Sequence, residues 1–355
     1  MEIRIGTSGY SYADWKGHFY PRDIKSADML GYYARRFHTV ELNTTYYGIP
    51  QPAATEQMTR RVPAGFEFAV KAHRDMTHGG DFRQEVFEEF RQMLAPLREA
   101  GMLGCVLAQF PWAFKQTPEN RDYLKRLRDE LPETPVVVEL RNSEWVSEAT
   151  FEQLRALGLG YCCVDEPRLK GLMPPLAAAT STVGYVRFHG RNAAKWWKHE
   201  HAWERYNYLY SAEELQEWVP KIEAVAAQTE KTYVFFNNHY EGKAGVNADQ
   251  LAALMNLALP EVVETQGALP IQNLPRSVLK RRRLRVDTSM PVRWTCSLRW
   301  CRVPAPVLCL PFQLAAPPWE YSRSGARHPQ GREALNYLAG RPPATRPPDA
   351  GTGLR

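Results

Sequence analysis

A (β/α)8 barrel is the fold this sequence predicts, and three observations predict it. Short apolar runs alternate with longer amphipathic ones through the first 265 or so of the 355 residues. Such alternation implies a parallel sheet with right-handed crossovers. The apolar runs number eight, the strand count of that barrel. The alternative, a doubly wound open sheet, usually has fewer strands and a phosphate-binding turn, and the first turn here, GTSGYSY, lacks the G-x-G-x-x-G spacing.

The first strand is expected at Ile3–Thr7, followed by a Tyr- and Gly-rich loop through Pro21. A helix over Met29–Phe37 leads to a strand at Thr39–Leu42, and a helix over Ala53–Arg61 to one at Phe66–Val70. Phe82–Ala100 is amphipathic and precedes strand Leu103–Ala108. Glu119–Leu131 follows Pro118, a residue favoured where helices begin. Strand Pro135–Val138, helix Ser147–Leu157 and strand Gly160–Val164 come next. The segment Arg168–Thr180 is too Pro-rich for a full helix, so one crossover is degenerate. Strand Gly184–Phe188 runs into an aromatic insertion, Arg191–Tyr210. Helix Ala212–Gln228, strand Thr232–Phe236 and helix Asn247–Leu259 complete the unit.

Composition bounds the class. The chain is 44% hydrophobic and 24% charged, as globular proteins are, and no apolar run is long enough to span a bilayer. With no basic-then-apolar leader at its start, a cytoplasmic protein is expected. The net charge of +6 is unevenly spread: residues 1–265 carry 30 basic and 35 acidic groups, whereas 266–355 carry 15 and 4. Two domains are therefore expected, a barrel over 1–265 and a basic, Pro/Arg-rich tail over 266–355. The tail holds 13 of the 27 prolines and the run KRRRLR. It reads as a nucleic-acid or membrane-surface segment, a disordered appendage, or a stretch translated out of frame. Of the six cysteines, Cys105, Cys162 and Cys163 lie in apolar strands, and Cys296, Cys301 and Cys309 fit no zinc spacing, so no disulfide framework is expected.

In such a barrel the chemistry sits where strands end, at the C-terminal mouth. Polar residues cluster there: Glu41 and Asn43, Lys71 and His73, Gln109, Glu139 and Arg141, Asp165, Arg187 and His189, Asn237 and His239. In five strands the pair is separated by one residue, and alternation sends both side chains to one face. Some could form an ion-pair layer closing the barrel, such as Glu41 with Lys71 or Glu139 with Arg141. For all of them to do so is disfavoured by the cost of burying so many charges.

The residue types suggest roles. Lys71, Arg141 and Arg187 could hold a phosphate or carboxylate. Glu41, His189 and His73 are the candidate proton carriers. Asn43, Asn237 and Asn238 could orient hydroxyls. Glu41, Glu139, Asp165 and His189 offer donors for a divalent metal, although no local ligand spacing supports one. Among loop aromatics, Tyr46 and Trp15 lead a set that could stack on a sugar or base, with Tyr10, Tyr12, Tyr47, Trp112, Trp145, Trp196 and Trp197.

The segments IGTSGYSYADWKGHFYP, VELNTTYYGIP, FAVKAHR, VELRNSEW, YVRFHGR and YVFFNNHYEGKAGVNA together resemble the DUF72, or YecE-like, family, in order and over about residues 3–259. The resemblance implies a TIM-type barrel and a loose kinship to sugar-isomerase-type barrels, without implying an activity. Its matching positions are Glu41, Asn43, Lys71, His73, Glu139, Arg141, Arg187, His189, Gly190, Asn237 and Asn238. The expected protein is an enzyme or binding protein for a small anionic or sugar-like ligand. The alternatives are a nucleic-acid-associated protein and a metal-dependent isomerase or endonuclease-like barrel.

Overall fold

The computed structural model describes residues 2–79 and 82–260. The 266–355 tail, with Cys296, Cys301 and Cys309, lies outside the described residues. Eight parallel strands form a nearly closed barrel: β1 Glu2–Thr7, β2 Thr39–Leu42, β3 Glu67–Lys71, β4 Leu103–Gln109, β5 Val136–Glu139, β6 Leu159–Asp165, β7 Val183–Phe188 and β8 Lys231–Phe236. Each predicted strand is found, within a residue at either end. Neighbours in sequence are neighbours in the sheet, and β1 returns to pair with β8 from Glu2↔Lys231 to Thr7↔Phe236.

Helices cover the outer face. They are α1 Met29–Tyr33, α2 Pro52–Thr59, α3 Gln84–Glu99, α4 Pro118–Glu130 and α5 Glu148–Ala156, then the short α6 Ala193–Trp196 and α7 Ala202–Tyr206, and finally α8 Ala212–Gln216, α9 Val219–Ala226 and α10 Lys243–Leu254. Their sequences explain their limits. In α3 the buried Val86, Phe87, Phe90, Met93, Leu94 and Leu97 recur at helical spacing and face the sheet. Thr117 and Ser147 cap α4 and α5 by accepting from the Asn120 and Thr150 amides.

Three predicted helices are corrected, and the first of them, expected over Met29–Phe37, ends at Tyr33. Ala212–Gln228 is interrupted, because Pro220 has no N–H to donate and would clash with the carbonyl one turn back, so α8 ends and α9 restarts with the proline in its first turn. The break is used: Trp218, between the two, is fully buried. The last helix starts four residues earlier than expected, after Gly242 turns the chain at φ +75°. It stops at Leu254, just before Asn256 at φ +54°.

The barrel closes between β1 and β2 without a ladder. Only Ser8 and Glu41 bridge there, with the Gly9 amide donating to the Glu41 carbonyl at 2.7 Å. Further down the seam the Tyr33 hydroxyl stands in for the missing backbone partner. It accepts from the Thr7 amide at 2.9 Å and donates to the Thr39 carbonyl at 3.1 Å. Gly6 makes the close approach possible, since a Cβ there would overlap the Thr39 carbonyl oxygen. At the N-terminal end of the interior, Glu67 accepts from Lys231 at 2.5 Å and from the Tyr233 hydroxyl, and lies 3.3 Å from Arg4. Above it come the aromatic rings of Tyr233, Phe235 and Tyr185. The mouth lies above those.

Candidate functional site

Strand parity assembles the upper layer. On β7, Tyr185 and Arg187 point inward while Phe188 packs against Trp218 and Tyr210 outside. Arg187, 1% exposed, forks onto Glu41: Nε donates to Oε2 at 2.9 Å and Nη2 to Oε1 at 2.6 Å. Its Nη1 donates to Glu139 Oε2 at 2.5 Å, and Tyr185 adds a hydroxyl to Glu41 Oε2 at 2.7 Å. Burial opposes the charge on Arg187, but Glu139 and Glu41 outweigh it and hold the guanidinium firmly protonated. Burial likewise works to raise the Glu139 carboxyl, yet Arg141, Arg187 and His189 together keep it well below the usual range.

The expected ion-pair layer therefore exists, with a different membership. Glu139 does pair with Arg141, whereas Glu41 pairs with Arg187 and not with Lys71. Arg187, expected to face a ligand, is spent on two carboxylates inside the barrel.

Arg141 is the more outward cation. Its Nη1 donates to Glu166 Oε2 at 2.9 Å, and its side chain keeps 13% exposure. Glu166 also accepts the Met173 amide at 2.9 Å; burial pushes its carboxyl up to about 7 against those two donors. Lys71 ends β3 and donates to Gln109 Oε1 at 2.8 Å, its ammonium 4.5 Å from the centre of the Tyr46 ring. Among the described residues it has no carboxylate partner. Burial and the nearby Arg187 lower its amine to about 7, although Glu139 and Glu41 pull the other way.

His189 is fully buried beside this layer. Asn237 Nδ2 lies 3.1 Å from its Nδ1; an amide nitrogen can only donate, so the ring proton sits on Nε2. Nε2 approaches Glu139 Oε1 to 3.3 Å at an angle that leaves both without a hydrogen bond among the described residues. Burial and the Arg141 charge lower the imidazole to about 3, so it stays neutral at ordinary pH. The Asn43 side-chain oxygen is also buried and without a partner there.

Other predicted residues lie elsewhere. Asp165 is on the outward parity of β6, where its carboxylate accepts from Arg191 twice at 2.8 Å, from Tyr210 at 2.9 Å and from the Trp218 indole at 2.6 Å. The inward parity is that of Cys162, whose sulfur faces Glu139, and it continues to Glu166. Asn238 also points outward, donating to the Tyr208 carbonyl and to Asn247 Oδ1 at 2.8 Å each. His73 caps the turn Arg74–Met76 by accepting the Asp75 amide, and makes no polar contact with the mouth cluster. Trp15 is buried, its indole donating to the His239 carbonyl at 2.6 Å. Among the described residues, no three His, Cys, Asp or Glu side chains converge as metal ligands. Arg187 separates Glu41 from Glu139, and Asp165 faces away.

Sequence reasoning missed Glu166, Tyr185 and Ser8, whose hydroxyl lies 3.4 Å from Arg187. Strand β6 is buried on both faces, so no polar–apolar alternation marks which of Asp165 and Glu166 points inward. Around the rim the loops expose Tyr47, Trp112, Trp197 and Trp203, with Tyr46 beneath Tyr47.

An eight-stranded parallel barrel with a charged, aromatic-rimmed C-terminal mouth defines the class: a TIM-type barrel of the architecture that carries ligands at that end. A model of the family described as "Protein of unknown function DUF72" matches residues 4–272, and the chain belongs to that family. It is similar to UPF0759 protein YunF of Bacillus subtilis, 32% identical over 76% of this chain and 98% of YunF. UPF0759 protein YecE of Escherichia coli K12 is 26% identical over 76% of this chain and 96% of its own. The crystal structure of a DUF72 family protein from Thermotoga maritima superposes with a TM-score of 0.68 at 40% identity, covering 72% of this chain and all of that one. No helix among the described residues is long and apolar enough to cross a membrane.

Proposed function

We propose that the protein is an enzyme acting on a small anionic, sugar-like molecule held at the C-terminal mouth of the barrel. The observation that carries this reading is the unequal use of the three mouth cations. Arg187 is saturated by two buried carboxylates, while Lys71 has none and Arg141 has a partly exposed edge. Arg141, with an open edge and its charge held, is suited to an anion from outside, and Lys71 adds to that charge when protonated. The neutral His189 can offer Nε2–H to a carbonyl or hydroxyl, as an uncharged hydrogen-bond donor and not as an acid. The rim aromatics supply faces for a sugar ring. Shifting a proton between carbons of a sugar, the chemistry of the isomerase-type barrels to which the family resemblance points, would need a base, and Lys71, with its amine near 7, is the group placed to be one.

The test is a thermal-shift screen of the full-length chain against sugar phosphates, inorganic phosphate and short oligonucleotides, each variant compared with its own unliganded Tm. A ligand at a hundredfold excess over Kd stabilises by about 2.7 kcal/mol. A sugar phosphate whose shift disappears in both Lys71→Met and Arg141→Lys fits the proposal. A shift that survives both variants refutes this site. Binding confined to oligonucleotides, and weakening steeply with salt, would transfer the mouth to nucleic acid.

A further inference from the structure

We propose that Lys71 is the nucleophile of the mouth, its Nζ adding as a free amine to the carbonyl of an aldehyde or ketone and forming an imine. This deepens the reading above and rests on it in one respect: Arg141 would hold the carboxylate or phosphate of that same carbonyl compound.

The geometry singles out this amine. Three carboxylates share the mouth with it, and all three are committed to other donors: Glu41 to Arg187 and Tyr185, Glu139 to Arg187 and Arg141, Glu166 to Arg141 and the Met173 amide. Nζ keeps one polar partner, the neutral Gln109 amide oxygen at 2.8 Å. That contact takes one N–H and orients the nitrogen while leaving its lone pair free once a proton is lost. The charged groups facing it are Arg187 from β7, Glu41 from β2, and Glu139 and Arg141 from around the end of β5, with neutral His78 in the loop after β3. Desolvation and two guanidinium groups disfavour the ammonium, the means by which lysine is made nucleophilic near neutral pH. The Tyr46 face, 4.5 Å away, compensates only in part.

The step balances without an added reagent. The Nζ lone pair attacks the carbonyl carbon, a C–N bond forms, and the oxygen takes the displaced electron pair and a proton. Loss of water from the carbinolamine breaks the C–O bond and leaves C=N. One amine and one carbonyl give one imine and one water. Protonated, that imine withdraws electrons from the neighbouring C–H or C–C bond, which suits enolisation, aldol cleavage or decarboxylation of the bound compound.

Reductive trapping tests this on the intact chain. The protein is incubated with sodium cyanoborohydride and either glyoxylate or propionaldehyde, and adducts are mapped by peptide mass spectrometry. With an amine near 7, about half of Lys71 is unprotonated at pH 7, against on the order of one in a thousand for an ordinary lysine. Lys71 should therefore be labelled at least about tenfold faster than exposed Lys125, with a pH midpoint near 7 and a plateau above it. Lys71→Arg should remove that adduct and leave the thermal unfolding cooperative. Labelling spread over lysines by exposure, or a Lys71 midpoint near 10, overturns the proposal even if anions bind. A Lys71:Lys125 labelling ratio equal for both probes keeps the imine and removes Arg141 as the anchor.

Discussion

Arg187 carries two carboxylates on one guanidinium in a space closed to water, and that arrangement makes it scaffold. Replacing it by Ala leaves Glu41 with only the Tyr185 hydroxyl, while Glu139 retains Arg141. An uncompensated buried charge of this kind costs about 3–5 kcal/mol. Urea unfolding of Arg187→Ala should show a loss of that size, partly restored in Arg187→Met combined with Glu41→Gln; a loss under 1 kcal/mol would mean that water reaches the layer. His189 gives a pH signature. Its folded pKa of about 3 lies below the unfolded value of 6.5, so between these limits the unfolded chain binds a proton that the native state refuses. Stability from this group is complete above pH 6.5 and falls as pH drops toward 3, by up to about 1.4 kcal/mol per pH unit. Stability measured between pH 6.5 and 4.5 should fall less steeply by that amount in His189→Asn, and equal slopes would show that the imidazole is accessible to protons. At this scale the sequence was partly legible. The paired positions on β2, β5 and β7 marked inward side chains correctly, because each strand has one charged and one apolar parity. It did not reveal that Glu41 prefers Arg187 to Lys71, which depends on distances across the barrel.

Among the elements, the seam between β1 and β2 is the weakest part of the sheet, since a tyrosine hydroxyl replaces part of a ladder. Tyr33→Phe leaves the Thr7 amide and the Thr39 carbonyl without this partner, a cost of about 1–3 kcal/mol per buried polar group. Hydrogen exchange should accelerate at the Thr7 amide in that variant, while the β7–β8 ladder keeps its protection. Uniform loss of protection would mean that the seam opens only with the whole barrel. The helix start at Thr117–Pro118 was legible from its cap and proline, whereas the break that Pro220 makes between α8 and α9 was not. Nor was the start of α10, expected at Asn247, which lies within the helix, fully buried, with its side chain tied to the Tyr210 backbone instead of capping an N-terminus.

For the whole molecule, the barrel was legible because each strand–helix unit carries its own local signal and eight of them close a circle. The relatives agree on its extent: nearly the full length of YunF and YecE, and all of the Thermotoga protein, corresponds to about three-quarters of this chain. Residues 1–265 and 266–355 carry opposite charge balances. Substrate and reaction were not legible, because a barrel mouth fixes where chemistry occurs and leaves the ligand to loops whose geometry sequence alone does not set.

The pairing of β1 with β8 has a consequence for how the chain is made. Strand β1 is made more than two hundred residues ahead of Lys231–Phe236, its only ladder partner among the described residues. Strands β3 to β8 can each ladder onto the one before as they appear, whereas β1 has no backbone ladder to join until β8 is out. Until β8 is made, β1 has no ladder to complete, and the growing barrel is an open arc.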